Sequence, residues 1–124
     1  MVEPVRLQLS RTKGFKLQEH SREVNGLPAI KVDRSTGYGN PWSIRKGAWW
    51  FVDGPNTPIG GIRCGNEEGA RVIAVKLYRE EAERLGVSSF LRGKNLACWC
   101  PAGAPCHADV LLELANRPIC EEVS

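Results

Sequence analysis

The chain has 124 residues, 42% hydrophobic and 25% charged, a composition of ordinary globular proteins with room for one core rather than two. No run of about 18 apolar residues occurs, and Met1-Val-Glu-Pro-Val-Arg carries no apolar leader, so nothing reads as a membrane span and the cytoplasm is expected. The formal charge of +3 is uneven: residues 1–50 hold nine Lys/Arg against four Asp/Glu, which suits phosphate-bearing partners, while residues 51–124 hold eight against ten.

Residues 4–10 alternate apolar Val5, Leu7 and Leu9 with polar Arg6, Gln8 and Ser10, the pattern of a half-buried strand. A basic loop follows over 11–16, turning at Gly14, and a second strand is expected at 29–32. Gly37, Gly39 and Pro41 make 35–42 a loop. Residues 43–52 read as one further strand, and the glycines and prolines of 54–65 as an elaborated loop or short hairpin over a pocket mouth. From Asn66 the period changes. Asn66 suits an N-cap, Ala70, Ile73, Ala74, Leu77, Tyr78, Ala82 and Leu85 form an apolar stripe, and Gly86 supplies the stop, so a helix is predicted over 67–85. Glu67 with Arg71 and Glu80 with Arg84 are favourable pairs on its wet side. A short strand at 95–100, a Pro/Gly-rich break and a last helix over 106–116 complete the chain. The expected architecture is a single compact α/β domain over 1–124, of Rossmann-like layering. In it a mixed sheet carries the first strand and the Leu96–Cys100 strand, with both helices packed on it.

Five cysteines are an odd number, and in a reducing compartment they argue against a disulfide framework. Cys64 and Cys120 stand apart and read as small buried hydrophobes. Cys98, Cys100 and Cys106 fall within nine residues, beside His107. Side chains two apart on a strand share a face, so Cys98 and Cys100 point together, and Cys106 and His107 open the following helix. That arrangement collects sulfur and imidazole at a strand end, where α/β proteins place ligands. The helix N-terminus would favour thiolate and would equally hold a phosphate.

Three readings stay open at this cluster. It could bind zinc through Cys98, Cys100, Cys106 and His107, because soft thiolates and imidazole suit a tetrahedral ion. It could be an unmetallated polar pocket around an anion or nucleotide. It could also be core filler with a satisfied buried histidine. The string Cys106-His-Ala-Asp has some likeness to zinc nucleobase deaminases, but Asp109 stands where their glutamate does and no second motif follows.

Gly93-Lys-Asn-Leu-Ala-Cys-Trp-Cys-Pro and Pro105-Cys-His-Ala-Asp-Val-Leu-Leu-Glu-Leu-Ala-Asn resemble the end of domain-of-unknown-function family 4326, small proteins of bacteria and their phages. Val5-Arg-Leu-Gln-Leu-Ser-Arg-Thr-Lys-Gly, the Tyr38-Gly-Asn-Pro-Trp loop and the helix bearing Ala74, Val75 and Tyr78 are similar to that family's earlier parts. The resemblance spans most of the chain and implies kinship without an activity. More distantly, the cysteine end is similar to an uncharacterised family whose helix opens Cys-His-Arg; Ala108 stands at the arginine position here.

Asn40 and Trp42 present an amide and an indole that could pair with and stack on a base, or Trp42 could simply be buried under the sheet. Arg11, Lys13 and Arg34 are the phosphate candidates. The leading expectation is an enzyme-like site for a nucleoside, nucleotide or nucleic-acid base, with glycosidic-bond chemistry as one form. Cys100 or Cys106 would be nucleophile or anion holder, His107 proton donor or acceptor, and Asp109 its orienter. The alternative is a non-catalytic, zinc-stabilised module that contacts nucleic acid or protein.

Overall fold

The computed structural model describes residues 2–101 and 103–117, so Cys120 lies outside the described residues. The order is β1 (Arg6–Gln8), α1 (Leu17–Asn25), β2 (Ala29–Lys31), β3 (Ser43–Lys46), β4 (Trp50–Asp53), β5 (Ile62–Cys64), α2 (Glu67–Leu85), β6 (Asn95–Cys98) and α3 (His107–Ala115). The α/β class is as expected, but strands of opposite sense do not share one mixed sheet. A parallel sheet runs β1-β6-β2 and an antiparallel sheet β3-β4-β5.

In the parallel sheet β6 inserts between β1 and β2, with Leu7 opposite Ala97 and Ile30 opposite Leu96. All four residues of β6 are buried, as a central parallel strand covered on both faces requires. Leu96 and Cys98 face a core built with Val32, Leu91, Ala108 and Leu111 under α3. Ala97 joins Leu7, Leu9 and Ala29 in a second cluster beside Phe15 and Leu17.

Helix α1 was read as no element at all. Seven of its nine residues are polar, and Ser21 is the one it buries. Tertiary hydrogen bonds hold it instead. The Gln18 amide both donates to and accepts from the Ala29 backbone, and Ser21 Oγ donates to the Leu27 carbonyl at 2.6 Å. Asn25 and Asn95 exchange reciprocal amide bonds of 2.8 and 2.9 Å. Buried Asn95 also donates to Ser21 Oγ and accepts from the Val5 amide, which closes the network.

The strand expected over 43–52 is instead the hairpin β3–β4, turned at Gly47 and the residues after it, and β5 adds a third strand. Its inner face carries Val52, flanked by Ile44 and Ile62, and packs on α2 through Ala70 and Ala74. Helix α2 has the bounds that its period and caps predict: the Asn66 side chain accepts from the Gly69 amide at 2.7 Å. Arg71 pairs with Glu67, whereas Arg84 pairs with Glu81 rather than Glu80. Tyr78 packs against both the α3 and the hairpin clusters, which joins the two sheets through α2. No helix among the described residues is long and apolar enough to cross a membrane.

Candidate functional site

Strand β6 stops at Cys98, two residues short of expectation, and the chain bends through Trp99 and Cys100. The loop then returns to Cys106, which is the N-cap of α3 and not its first helical residue; its Sγ accepts from the Ala108 amide at 3.5 Å. The bend still brings the three sulfurs together. The Sγ atoms of Cys98, Cys100 and Cys106 all lie within 4.8 Å of one another, and the Cys98 and Cys106 sulfurs are 3.0 Å apart with no disulfide.

Arg6 fixes the loop that closes this group. Its guanidinium donates to the Ala104 carbonyl at 2.8 Å and the Pro101 carbonyl at 3.1 Å, and pairs with Asp109 at 3.1 Å. Sequence reading missed Arg6 because alternation assigned it to the wet face of β1. Its side chain is in fact only 13% exposed. The one available signal was its place beside apolar neighbours on a strand, which is common to many solvated arginines.

The sulfurs share protons unequally. Hydrogen bonds from Cys106 and then Cys98, joined by the charges of Arg6 and Arg71, outweigh burial and hold the Cys100 thiol well below the ordinary thiol range. Cys98, which donates toward Cys100 and Cys106, is pushed far up. The surroundings of the half-buried Cys100 therefore favour its thiolate form.

His107 is buried, 6% exposed, and both ring nitrogens are committed: Nε2 to the Val32 carbonyl, Nδ1 toward Cys106 Sγ at 3.8 Å. Burial pulls the imidazole down, but the Cys106 and Val32 contacts together outweigh it and leave its pKa raised. It lies outside the group of three sulfurs that share mutual ligand spacing. Asp109 does not orient it, since residues two apart on a helix diverge and the Asp109 carboxylate goes to Arg6 instead.

Cys100, Cys106 and His107 line a cleft of about 130 Å³ with Arg34, Arg71 and Asn40, and Cys100 is the one of its two sulfurs that is not buried. Arg71 was read only as the surface partner of Glu67, and it does make that pair while lining the cleft. Arg34 is held by close packing: a Cβ on Gly39 would meet the Arg34 Cα at 2.6 Å, so only glycine permits this approach. The Asn40 amide is spent on the fold, donating to the Ala74 carbonyl and accepting from the Trp42 amide. Trp42 is buried, with Nε1 donating to the Pro55 carbonyl, so its indole is not a platform for a base. Arg11 stacks over Trp99, 5.0 Å from the ring centroid, and Lys13 is exposed in the turn before α1; neither lines the cleft. Cys64 is buried under α2, as expected.

A second groove of about 230 Å³ adjoins the cleft and shares Arg34 and Asn40 with it. A larger one of about 370 Å³ runs beside Tyr38, Trp42 and α2 and contains no cysteine. The cysteines therefore border the smaller space and not the larger one.

No curated protein and no solved structure matches the chain. A family model described as "Domain of unknown function (DUF4326)" matches residues 8–117, which takes in every element from the end of β1 to α3 together with the cleft. The chain belongs to that family, DUF4326.

Proposed function

We propose that the chain is an enzyme-like protein acting on a nucleoside, nucleotide or nucleic-acid base, with the reacting group seated against Cys100. The observation that carries this reading is the accessibility of a single sulfur. Of three convergent thiols, Cys98 and Cys106 are buried and Cys100 opens between two guanidiniums. Cys100 is the nucleophile, Arg34 and Arg71 hold an anionic group, and the Cys106–His107 contact is the nearest proton store. Small-molecule pockets begin at about 300 Å³. The cleft alone therefore takes only the reacting end of such a ligand, and the adjoining groove past Arg34 takes the rest.

The test is a thermal-shift panel of nucleosides, nucleoside monophosphates and free bases at about 1 mM, followed by chromatography for released base. Phosphate-bearing members should raise Tm by several degrees, and R34A with R71A should abolish the shift. C100S should keep binding and lose turnover. Absence of any shift across the panel at this concentration overturns the reading.

The mutual spacing of the three sulfurs supports a second reading, a zinc-stabilised binding module. Ligands at about 2.3 Å from a tetrahedral zinc sit about 3.8 Å apart, and the sulfurs here fall within 4.8 Å of each other. Metal analysis of protein purified without added zinc separates the two. About one equivalent, lost together with the fold in C98S, favours the module. Protein free of metal, whose C98S variant melts within a few degrees of wild type, favours the unmetallated enzyme-like site.

A further inference from the structure

The outer face of the antiparallel sheet, opposite α2, carries a row that the thiol site does not use. Arg45, Phe51 and Arg63 are directly cross-strand from one another and so share this face, while the next row, Ile44, Val52 and Ile62, points into the core. Arg45 lies over the Phe51 ring, 4.5 Å from its centroid, and Arg63 over the Trp49 ring at 5.0 Å. Rings and guanidiniums thus alternate across three strands. Trp49 is 51% exposed although it is among the largest apolar side chains of the protein. The next row along, Lys46, Trp50 and Cys64, belongs by register to the opposite face, where Trp50 and Cys64 join the core under α2. Arg45 is partly neutralised by Asp53 and also donates to the Gly60 carbonyl, which holds it rigidly over Phe51. Arg63 makes no ion pair among the described residues.

We infer that this face binds single-stranded DNA without sequence preference. A base stacks on the exposed Trp49 ring, with the Arg45-capped Phe51 beside it, and Arg63 meets a flanking phosphate. An open sheet face that combines rings for stacking with an unpaired cation for the backbone is what a single strand requires. Duplex offers its bases only at groove edges, and selecting RNA requires groups that meet the 2′-hydroxyl. Arg45, the donor fixed in place on this face, is already engaged by Asp53 and the Gly60 carbonyl, so no positioned group awaits a 2′-hydroxyl. The inference stands independently of the thiol cleft.

Fluorescence anisotropy of a labelled 15-mer of mixed sequence, titrated with the full chain near ~50 mM salt, tests it, with tryptophan quenching as a second signal. Wild type should bind with micromolar Kd, and W49A should weaken binding about tenfold. R63A should also weaken it and reduce the salt slope by about 0.7, the share of one phosphate contact on a single strand. K76A removes an equal charge from an exposed position on α2 and should change nothing beyond a general salt effect. Trp49 and Arg63 are both exposed, so these variants should keep the wild-type melting curve. No binding at tens of micromolar protein overturns the inference. So does equal loss in R63A and K76A, tighter binding of duplex, or stronger binding of an acidic peptide of matched charge. Preference of tenfold or more for the RNA version of the oligonucleotide overturns the assignment to DNA.

Discussion

Cys100 differs from its two neighbours only in its surroundings. A lone thiol at a bend would ionise near its usual pKa of about 8.5, but two donating sulfurs and the positive charges of Arg6 and Arg71 stabilise the anion here. Iodoacetamide should accordingly alkylate Cys100 first, and its rate should stay nearly level as pH falls through the range where ordinary thiols stop reacting. Peptide mass spectrometry reads this directly, and a rate that collapses below about pH 8 would contradict it. His107 has the opposite linkage. Its folded pKa is raised, so the stabilisation is complete below the ordinary histidine value and drains away as pH climbs through the folded one. H107Q should therefore flatten the decline in Tm as pH rises above the ordinary histidine value of about 6.5. Arg6 acts by position: by gripping Pro101, Ala104 and Asp109 together, it sets where the Cys100 sulfur lies.

At the scale of elements, α1 and α2 were built by different forces. Helix α2 runs 19 residues with an N-cap, acidic first turn and glycine stop, all of which act within one segment and are visible in its composition. N66A should cost about 1 kcal/mol, the usual loss for an N-cap bond. Helix α1 shares an acidic first turn at Glu19 and a glycine stop at Gly26, but its N-cap Lys16 makes no capping bond and its amides lean on Asn95 and Ala29. N95A leaves Ser21, Asn25 and the Val5 amide short of partners in a buried site and should cost about 3 kcal/mol, more than N66A. Urea unfolding of the two variants ranks them, and a smaller loss in N95A would mean that water replaces the missing amide. The hairpin was illegible for a related reason. Residues 43–52 suit a strand throughout, and the turn at Gly47 is selected by the register of Ile44 against Val52 over α2.

At the scale of the whole molecule, β6 is the keystone. It hydrogen-bonds strands on both sides and is buried on both faces, while β3–β5 and α1 rest on the periphery. Native-state hydrogen exchange should find the slowest amides at Leu96 and Ala97, opening only with global unfolding, and faster ones along β3 and α1. Uniform protection across both sheets would show one cooperative unit instead. Capping, helical period and the density of thiols near the end are properties of stretches of ten or twenty residues, so the bounds of α2, the strand before the cysteines and the candidate cluster could be read directly along the chain. Which strand lies beside which, that Arg6 reaches a loop about 95 residues further on, and that Trp42 is buried while Arg71 faces the cleft were settled by packing. Those outcomes depend on contacts between distant segments, whose energies are comparable for many pairings until the core is closed and only one arrangement satisfies every buried polar group.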